Sequence, residues 1–243
     1  VDLMHAAGVP ADVLQFAPGD GKVGAALVGH QATCGVMFTG STEVARLIQK
    51  QLAGRTLVNG APIPLVAETG GQNALVVDSS ALTEQVVLDV LASAFDSAGQ
   101  RCSALRVLCL QEEVADKTLD MLKGAMAQLD IGNPDRLTID VGPVITAEVR
   151  DGINGHIEAM RAKGCAVTQL DLPELAEQGT YVPPTLIELG DISELGREVF
   201  GPVLHVVRFK RKNLDGLLEK INALGYGLTF GLHTRIDATI AEV

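Results

Sequence analysis

The chain has 243 residues, an apolar share of 47% and a formal net charge of −11, with acidic and basic residues interspersed rather than blocked. That apolar share suffices for the core of one large or two small domains, and the acidic balance disfavours a nucleic-acid or anionic-membrane surface on this segment. No apolar run reaches the roughly 18 residues needed to span a bilayer, and no signal peptide is visible.

The amino end, Val1-Asp-Leu-Met-His-Ala-Ala-Gly8, reads as the tail of a helix already under way, and residues 236–243 break off inside a helical pattern. The chain is therefore expected to be a piece of a longer protein. Residues 13–16 read as a short strand, Pro18-Gly-Asp-Gly21 as a turn, and residues 22–29 as a helix with Val23, Ala26 and Leu27 on one face. Residues 35–38 form an apolar strand running into Thr39-Gly-Ser-Thr-Glu43. A helix follows over residues 44–52, its apolar face expected at Val44, Leu47, Ile48 and Leu52. A strand, a Gly-Ser-Thr turn and a helix N-terminus can together bind a phosphate, because unpaired N–H groups and the helix dipole point at it. The same residues suit an ordinary N-cap, with Ser41 or Thr42 capping. The alternation suggests half of a doubly wound nucleotide fold.

Residues 64–67 form a further strand, ending in Glu68-Thr-Gly-Gly-Gln-Asn73 before a strand over 74–78. A carboxylate between an apolar strand and a Gly-Gly turn is expected to be shielded from solvent, which would suit Glu68 to general-base work. A salt-bridged strand-end residue is the alternative. A helix over 82–97 then leads into Ser97-Ala-Gly-Gln-Arg-Cys-Ser-Ala104 and a strand over 105–110. Cys102 thus sits in a Gly-containing turn between a buried helix and a buried strand. Such a turn can present a nucleophile and free N–H groups for an oxyanion, and Arg101 beside the sulfur would favour the thiolate. The alternative is a small structural cysteine. The four cysteines, Cys34, Cys102, Cys109 and Cys165, lack C-x-x-C pairing, so neither a disulfide framework nor a zinc ribbon is suggested, and a cytoplasmic setting is expected.

Helices are expected over 112–129, 147–163 and 213–223, and strands over 166–170, 182–189, 203–209 and 225–233, with a polar loop over 171–180. His156-Ile-Glu158 has the His-x-Glu spacing of zinc deaminases without their Pro-Cys-x-x-Cys, so it is expected on a solvated helical face and no metal is anticipated. In Arg197-Glu-Val-Phe-Gly-Pro202, Phe200 and Glu198 could meet a flat ligand with a polar rim, or could be core and surface residues.

Four stretches now stand in order: Phe38-Thr-Gly-Ser-Thr42, Glu68-Thr-Gly-Gly71, Gly99-Gln-Arg-Cys102 and Glu198-Val-Phe-Gly-Pro202. Together with Tyr226-Gly-Leu-Thr229 they closely resemble the aldehyde dehydrogenase superfamily, across essentially the whole chain. Glu68-Thr-Gly-Gly-Gln-Asn-Ala74 and the segment from Ser93 to Arg106 are similar to one branch. It is the L-glutamate-γ-semialdehyde (Δ1-pyrroline-5-carboxylate) dehydrogenase domain of the bifunctional proline-utilisation flavoproteins. Thr69 departs from the Leu or Met of many relatives but fits this branch.

The resemblance implies an α/β fragment truncated at both ends. Residues 1–67 would be the back half of a Rossmann-type NAD-binding domain, and 68–243 most of an α/β catalytic domain that contributes Glu198 and Phe200 to the cofactor site. It implies Cys102 as nucleophile and Glu68 as general base. Gly40, Ser41, Thr69, Gly70, Glu198 and Phe200 would lie at NAD, and Arg101 and Ser103 at the carboxylate-bearing aldehyde substrate. FAD would belong to a proline dehydrogenase domain upstream. The adenosine contacts, the oxyanion-hole asparagine, the carboxylate-anchoring loop and the oligomerisation strands would lie outside the chain. The isolated piece is accordingly expected to be inactive, and the full-length protein to be oligomeric. Rival readings are a dehydrogenase for another aldehyde with NAD or NADP, a relative that passes the acyl group to coenzyme A, and a non-catalytic module of the same fold.

Overall fold

Apolar runs become strands and periodic segments become helices in the computed structural model, which describes residues 1–176 and 178–243. The chain divides into two units, Val1–Thr69 and Gly70–Val243, and is mixed α/β throughout.

In the first unit, helices α1 (Asp2–Ala6), α2 (Gly21–Gly29) and α3 (Thr42–Leu52) accompany parallel strands β1 (Val36–Thr39) and β2 (Leu65–Glu68). Ile48, Leu52 and Ile63 form its small core against Val28, Val36, Phe38, Leu57 and Leu65. The buried face of α3 is Ala45, Ile48 and Leu52, at helical spacing. The face expected from the sequence is corrected here, because Val44 and Leu47 are exposed. Residues 13–16 are not a strand. Pro10 starts a turn there, with Val13 N–H donating to Pro10 O at 3.0 Å, and among the described residues no strand pairs with the segment.

The second unit is built on a six-stranded sheet of order β5-β6-β7-β4-β3-β8. Its strands are β3 (Ala74–Val77), β4 (Val107–Gln111), β5 (Ala166–Gln169), β6 (Thr185–Leu189), β7 (Val203–Phe209) and β8 (Phe230–His233). All pairs are parallel except β5 with β6. Every residue of β3 and β4 is buried, as continuous apolar strands in a covered parallel sheet should be. Helices α4 (Thr83–Phe95), α5 (Glu112–Met126), α6 (Ala147–Ala162), α7 (Leu214–Ala223) and α8 (Asp237–Glu242) complete the unit. On α5, Ala115, Thr118, Leu119, Leu122 and Met126 are buried, the i, i+3, i+4, i+7 pattern of a helix laid on a sheet. Within the loop expected over 171–180, Glu174–Ala176 forms a 3-10 turn and Glu177 lies outside the described residues. Of the strand expected over 225–233, residues 225–229 are not extended pairing partners. Gly225 has φ +75°, and Thr229 N–H is diverted to Asn73 Oδ1 at 3.2 Å.

Strand β7 carries a titratable ring into the apolar layer. His205 is 1% exposed, and its Nδ1 lies 3.3 Å from Arg106 O. A carbonyl accepts, so Nδ1 holds the proton and Nε2 is the acceptor. Nε2 of His156 therefore donates to it across 2.9 Å, with the rings edge to face. His156 is thus half-buried against β7, which corrects the solvated face expected for it, while Glu158 is exposed and pairs with Arg161. Burial, and next the neighbouring His156, push the His205 pKa down to about 3.

Between α4 and β4 the chain makes a left-handed turn. Ser97 (φ 57°) and Ala98 (φ 53°) precede Gly99 (φ +64°), and each non-glycine residue in this region costs about 1–2 kcal/mol. Gln100 fastens the turn: its Nε2 donates to Pro143 O at 3.1 Å and its Oε1 accepts from Ile145 N–H at 2.9 Å. At Gly99 a Cβ would stand 2.2 Å from Gly201 O and 2.9 Å from Ala94 O, so this position admits no side chain.

Two outcomes are expected from these features. Gly99→Ala should destabilise the protein by at least ~2 kcal/mol through strain and overlap, whereas Gly124→Ala on α5, where nothing lies within 4 Å of the added methyl, should be neutral or stabilise by up to ~1 kcal/mol. Urea unfolding of the two variants measures the contrast, and equal behaviour would refute it. The second outcome concerns pH. His205 is neutral when folded but titrates near 6.5 when unfolded, so the unfolded state binds the extra proton between about pH 6.5 and 3. The stability contributed by keeping this ring neutral is full above about 6.5 and falls as pH drops, by up to ~1.4 kcal/mol per pH unit. Urea midpoints from pH 7 to 4 should fall less steeply in His205→Leu than in the unsubstituted protein.

Candidate functional site

The turn that carries Cys102 is held from below by Asn73, the buried residue that precedes β3. Asn73 Nδ2 donates to Cys102 O at 2.7 Å and to Ala104 O at 2.8 Å, and Asn73 O accepts from Arg106 N–H and Val107 N–H. Two of the turn's carbonyls are therefore taken up by one buried amide, while Arg101, Cys102 and Ser103 are exposed. Among the described residues, neither Cys102 N–H nor Ser103 N–H donates to a protein acceptor. A thiol beside two uncommitted N–H groups can act as a nucleophile with an anion-stabilising pair at hand. Cys109, in contrast, is enclosed in β4, where burial pushes its thiol up to about 12.

Arg101 has a backbone partner. Its Nη2 donates to Ala92 O at 2.8 Å, which commits the guanidinium to the last turn of α4, a carbonyl-rich end that attracts cations. The cation at the centre of the site is Arg106, at the entrance to β4 and 1% exposed. Its Nη1 donates to Gly99 O at 2.7 Å and Gly201 O at 3.2 Å, and its Nη2 to Arg101 O at 3.1 Å. Nε and Nη2 both reach Glu198 Oε1, at 3.1 and 3.0 Å. Burial lowers the guanidinium's pKa from its usual value, and Glu198 opposes this. The guanidinium also lies 5.2 Å from the centroid of the Phe200 ring, within cation–π range.

One side chain thus joins the cysteine turn to the loop bearing Glu198 and Phe200. Phe200 remains 40% exposed. Glu198 packs over Gly70, where a Cβ would fall 1.7 Å from Oε2, so glycine is required there for this carboxylate to lie as it does. Ser103 lines a cavity of about 370 Å³ with Asn73, Asp89, Ser93, Thr229 and His233. Asn73 and Arg106 lie inside the motifs without a role of their own being evident from the chain. The available signal was an amide and a guanidinium flanking apolar strands, where a polar side chain must find partners.

The remaining candidates lie in the first unit. Gly40 N–H donates to Glu68 O at 3.0 Å, extending the β1–β2 ladder, so its N–H is already used. Ser41 caps α3, its Oγ accepting from Val44 N–H at 3.2 Å. Glu68, the last residue of β2, is exposed and Thr69 half-buried. The shielding expected for the Glu68 carboxylate is corrected: it is exposed, and of β2 only Leu65 packs against the small core. Among the described residues, no cluster of three or more His, Cys, Asp or Glu could hold a metal ion, and no helix is long and apolar enough to cross a membrane.

The aldehyde dehydrogenase family model matches residues 1–243. The bifunctional protein PutA of Klebsiella aerogenes is 64% identical over all of the chain, which corresponds to 19% of that protein. A 1-pyrroline-5-carboxylate dehydrogenase of Bacillus mycoides is 35% identical over 94% of the chain and 44% of its own length. A crystal structure of bifunctional proline utilization A superposes with a TM-score of 0.93 at 47% identity, over 99% of this chain and 24% of that one. The chain spans about a fifth of the length of the PutA proteins it matches. With a family model matched from end to end and a fold that superposes on a solved relative, the chain belongs to the aldehyde dehydrogenase family.

Proposed function

We propose that the chain carries the reaction centre of a cytoplasmic, NAD-dependent dehydrogenase. It would oxidise L-glutamate-γ-semialdehyde, formed from Δ1-pyrroline-5-carboxylate, to L-glutamate in proline catabolism. The observation that carries the reading is the exposed Cys102 in a turn with two uncommitted N–H groups, braced by Arg106 to the Glu198–Phe200 loop. The substrate is inferred from the PutA and 1-pyrroline-5-carboxylate dehydrogenase relatives.

The second unit's residues fit the nicotinamide end of a dinucleotide. Glu198 Oε2 lies over a glycine where a Cβ would occupy the space, and the half-open face of Phe200 beside it offers a flat apolar contact. Gly40, Ser41, Thr69 and Gly70 are assigned to the same cofactor by their motifs, with Ser41 at the N-terminus of α3, where a phosphate would gain from the helix dipole. When bound, NAD would supply the acceptor for the hydride.

The Cys102 sulfur adds to the aldehyde carbon, and its backbone N–H steadies the developing oxyanion. Loss of the hydride from that carbon leaves a thioester on Cys102. Glu68 takes a proton from water, the hydroxide adds to the thioester carbonyl, and the C–S bond breaks to return the thiolate and release a carboxylate. Ser103, which follows Cys102 in the chain and lines the cavity, would hold the substrate's α-carboxylate end by its hydroxyl. Arg101, tied to α4, would help there by its positive charge.

Two measurements on the full-length protein test the reading. Cys102→Ala should abolish NADH formation from the semialdehyde while NAD affinity stays within about threefold, and turnover that survives in this variant would overturn the assignment. Glu68→Gln should leave acylation fast and deacylation slow, so a burst of NADH precedes a slow steady state. Unaltered steady-state turnover would exclude Glu68 as the base.

A further inference from the structure

Arg106 binds Glu198 in an unusual manner. A guanidinium that merely neutralises a carboxylate commonly forms a fork, one N–H to each oxygen. Here Nε and Nη2 converge on Oε1 alone. Among the described residues Oε2 receives no donor, and the Glu198 side chain keeps 12% of its exposure. Oε2 itself occupies the space that a side chain at position 70 would fill, so the carboxylate can lie this way only because that residue is glycine. The carboxylate is therefore held by one oxygen while the other is left as a free acceptor at the site's margin. Arg106's remaining N–H groups go to carbonyls on both flanks: Gly99 and Arg101 on the cysteine turn, Gly201 on the opposite loop.

We propose that Arg106 is a positioning residue. It fixes Glu198 through Oε1 so that Oε2 receives a hydroxyl of the cofactor's nicotinamide ribose, and with the same guanidinium it fixes the backbone of the Cys102 turn. This rests on the reading of Glu198 as a cofactor ligand given above. It divides Arg106's work into two separable parts. The charge directed at Glu198 serves cofactor affinity, and the fork directed at three carbonyls serves the geometry of the nucleophile. A lysine, with one compact ammonium, can supply the first but not the second.

The experiment is a set of variants in the full-length protein, with folding checked by circular dichroism, NAD affinity by titration calorimetry and turnover by NADH formation. Glu198→Gln and Arg106→Gln should each weaken NAD binding by about tenfold or more, and the double variant should be no weaker than the poorer single one, because both remove the same contact. Arg106→Lys should keep NAD affinity within about threefold while kcat falls by about tenfold or more. That split is not expected of a residue that supports the fold alone, and this variant also carries the test should Arg106→Gln fail to fold. Multiplying single effects in the double variant, or equal losses of affinity and kcat in Arg106→Lys, would overturn the inference. An unsubstituted protein that binds no NAD would overturn the cofactor reading and the inference with it. An unsubstituted protein that binds NAD but shows additive variants overturns the inference alone.

Discussion

A guanidinium that is 1% exposed cannot discard its charge, so it must be surrounded by acceptors or the fold fails. Arg106 is that group, and its acceptors are the carbonyls of Gly99, Arg101 and Gly201 together with Glu198. These come from two segments far apart in sequence. The buried charge thereby makes the positions of the cysteine turn and of the Glu198–Phe200 loop interdependent. Breaking such an arrangement by removing one partner commonly costs about 3–5 kcal/mol, a penalty large enough to hold both segments in place.

Around this charge the backbone is held in conformations it would not choose alone. Ser97 and Ala98 sit in left-handed backbone space, and the N–H groups of Cys102 and Ser103 have no acceptor among the described residues. The compensation is local and countable. Asn73 takes up two turn carbonyls, Gln100 takes three partners in the turn and the 143–145 segment, and Leu105 N–H returns to Ser93 O. Strain and uncommitted donors at one turn, supported by buried amides beneath it, are what a preorganised anion-binding nucleophile site needs.

The His156–His205 pair lies directly behind the same strand junction. The Arg106 carbonyl accepts from His205 N–H at 2.9 Å and meets its Nδ1, so the imidazole pair and the guanidinium bear on opposite ends of one residue. Burial keeps His205 neutral, which leaves Arg106 without a second full positive charge at its back. Neutrality of the ring and charge of the guanidinium are thus two requirements of the same packing.

Most of the order of elements, the α/β class and the Cys102 turn between a buried helix and a buried strand were legible in the chain, because hydrophobic period and glycine punctuation are local properties. The ordered motifs that signalled the family were equally legible. What each guanidinium meets was decided by the tertiary structure. Arg101 is adjacent to Cys102 in sequence yet turns to α4, while Arg106 reaches a carboxylate 92 positions away. It also decided that His156 packs inward, that Glu68 is exposed, that α3 buries Ala45 rather than Val44, and that residues 13–16 and 225–229 form no strand. Each of these depends on whether a partner from a distant segment is present. No local pattern encodes that, since an N–H, a carboxylate or an imidazole settles wherever the folded chain brings its acceptor or donor within about 3 Å.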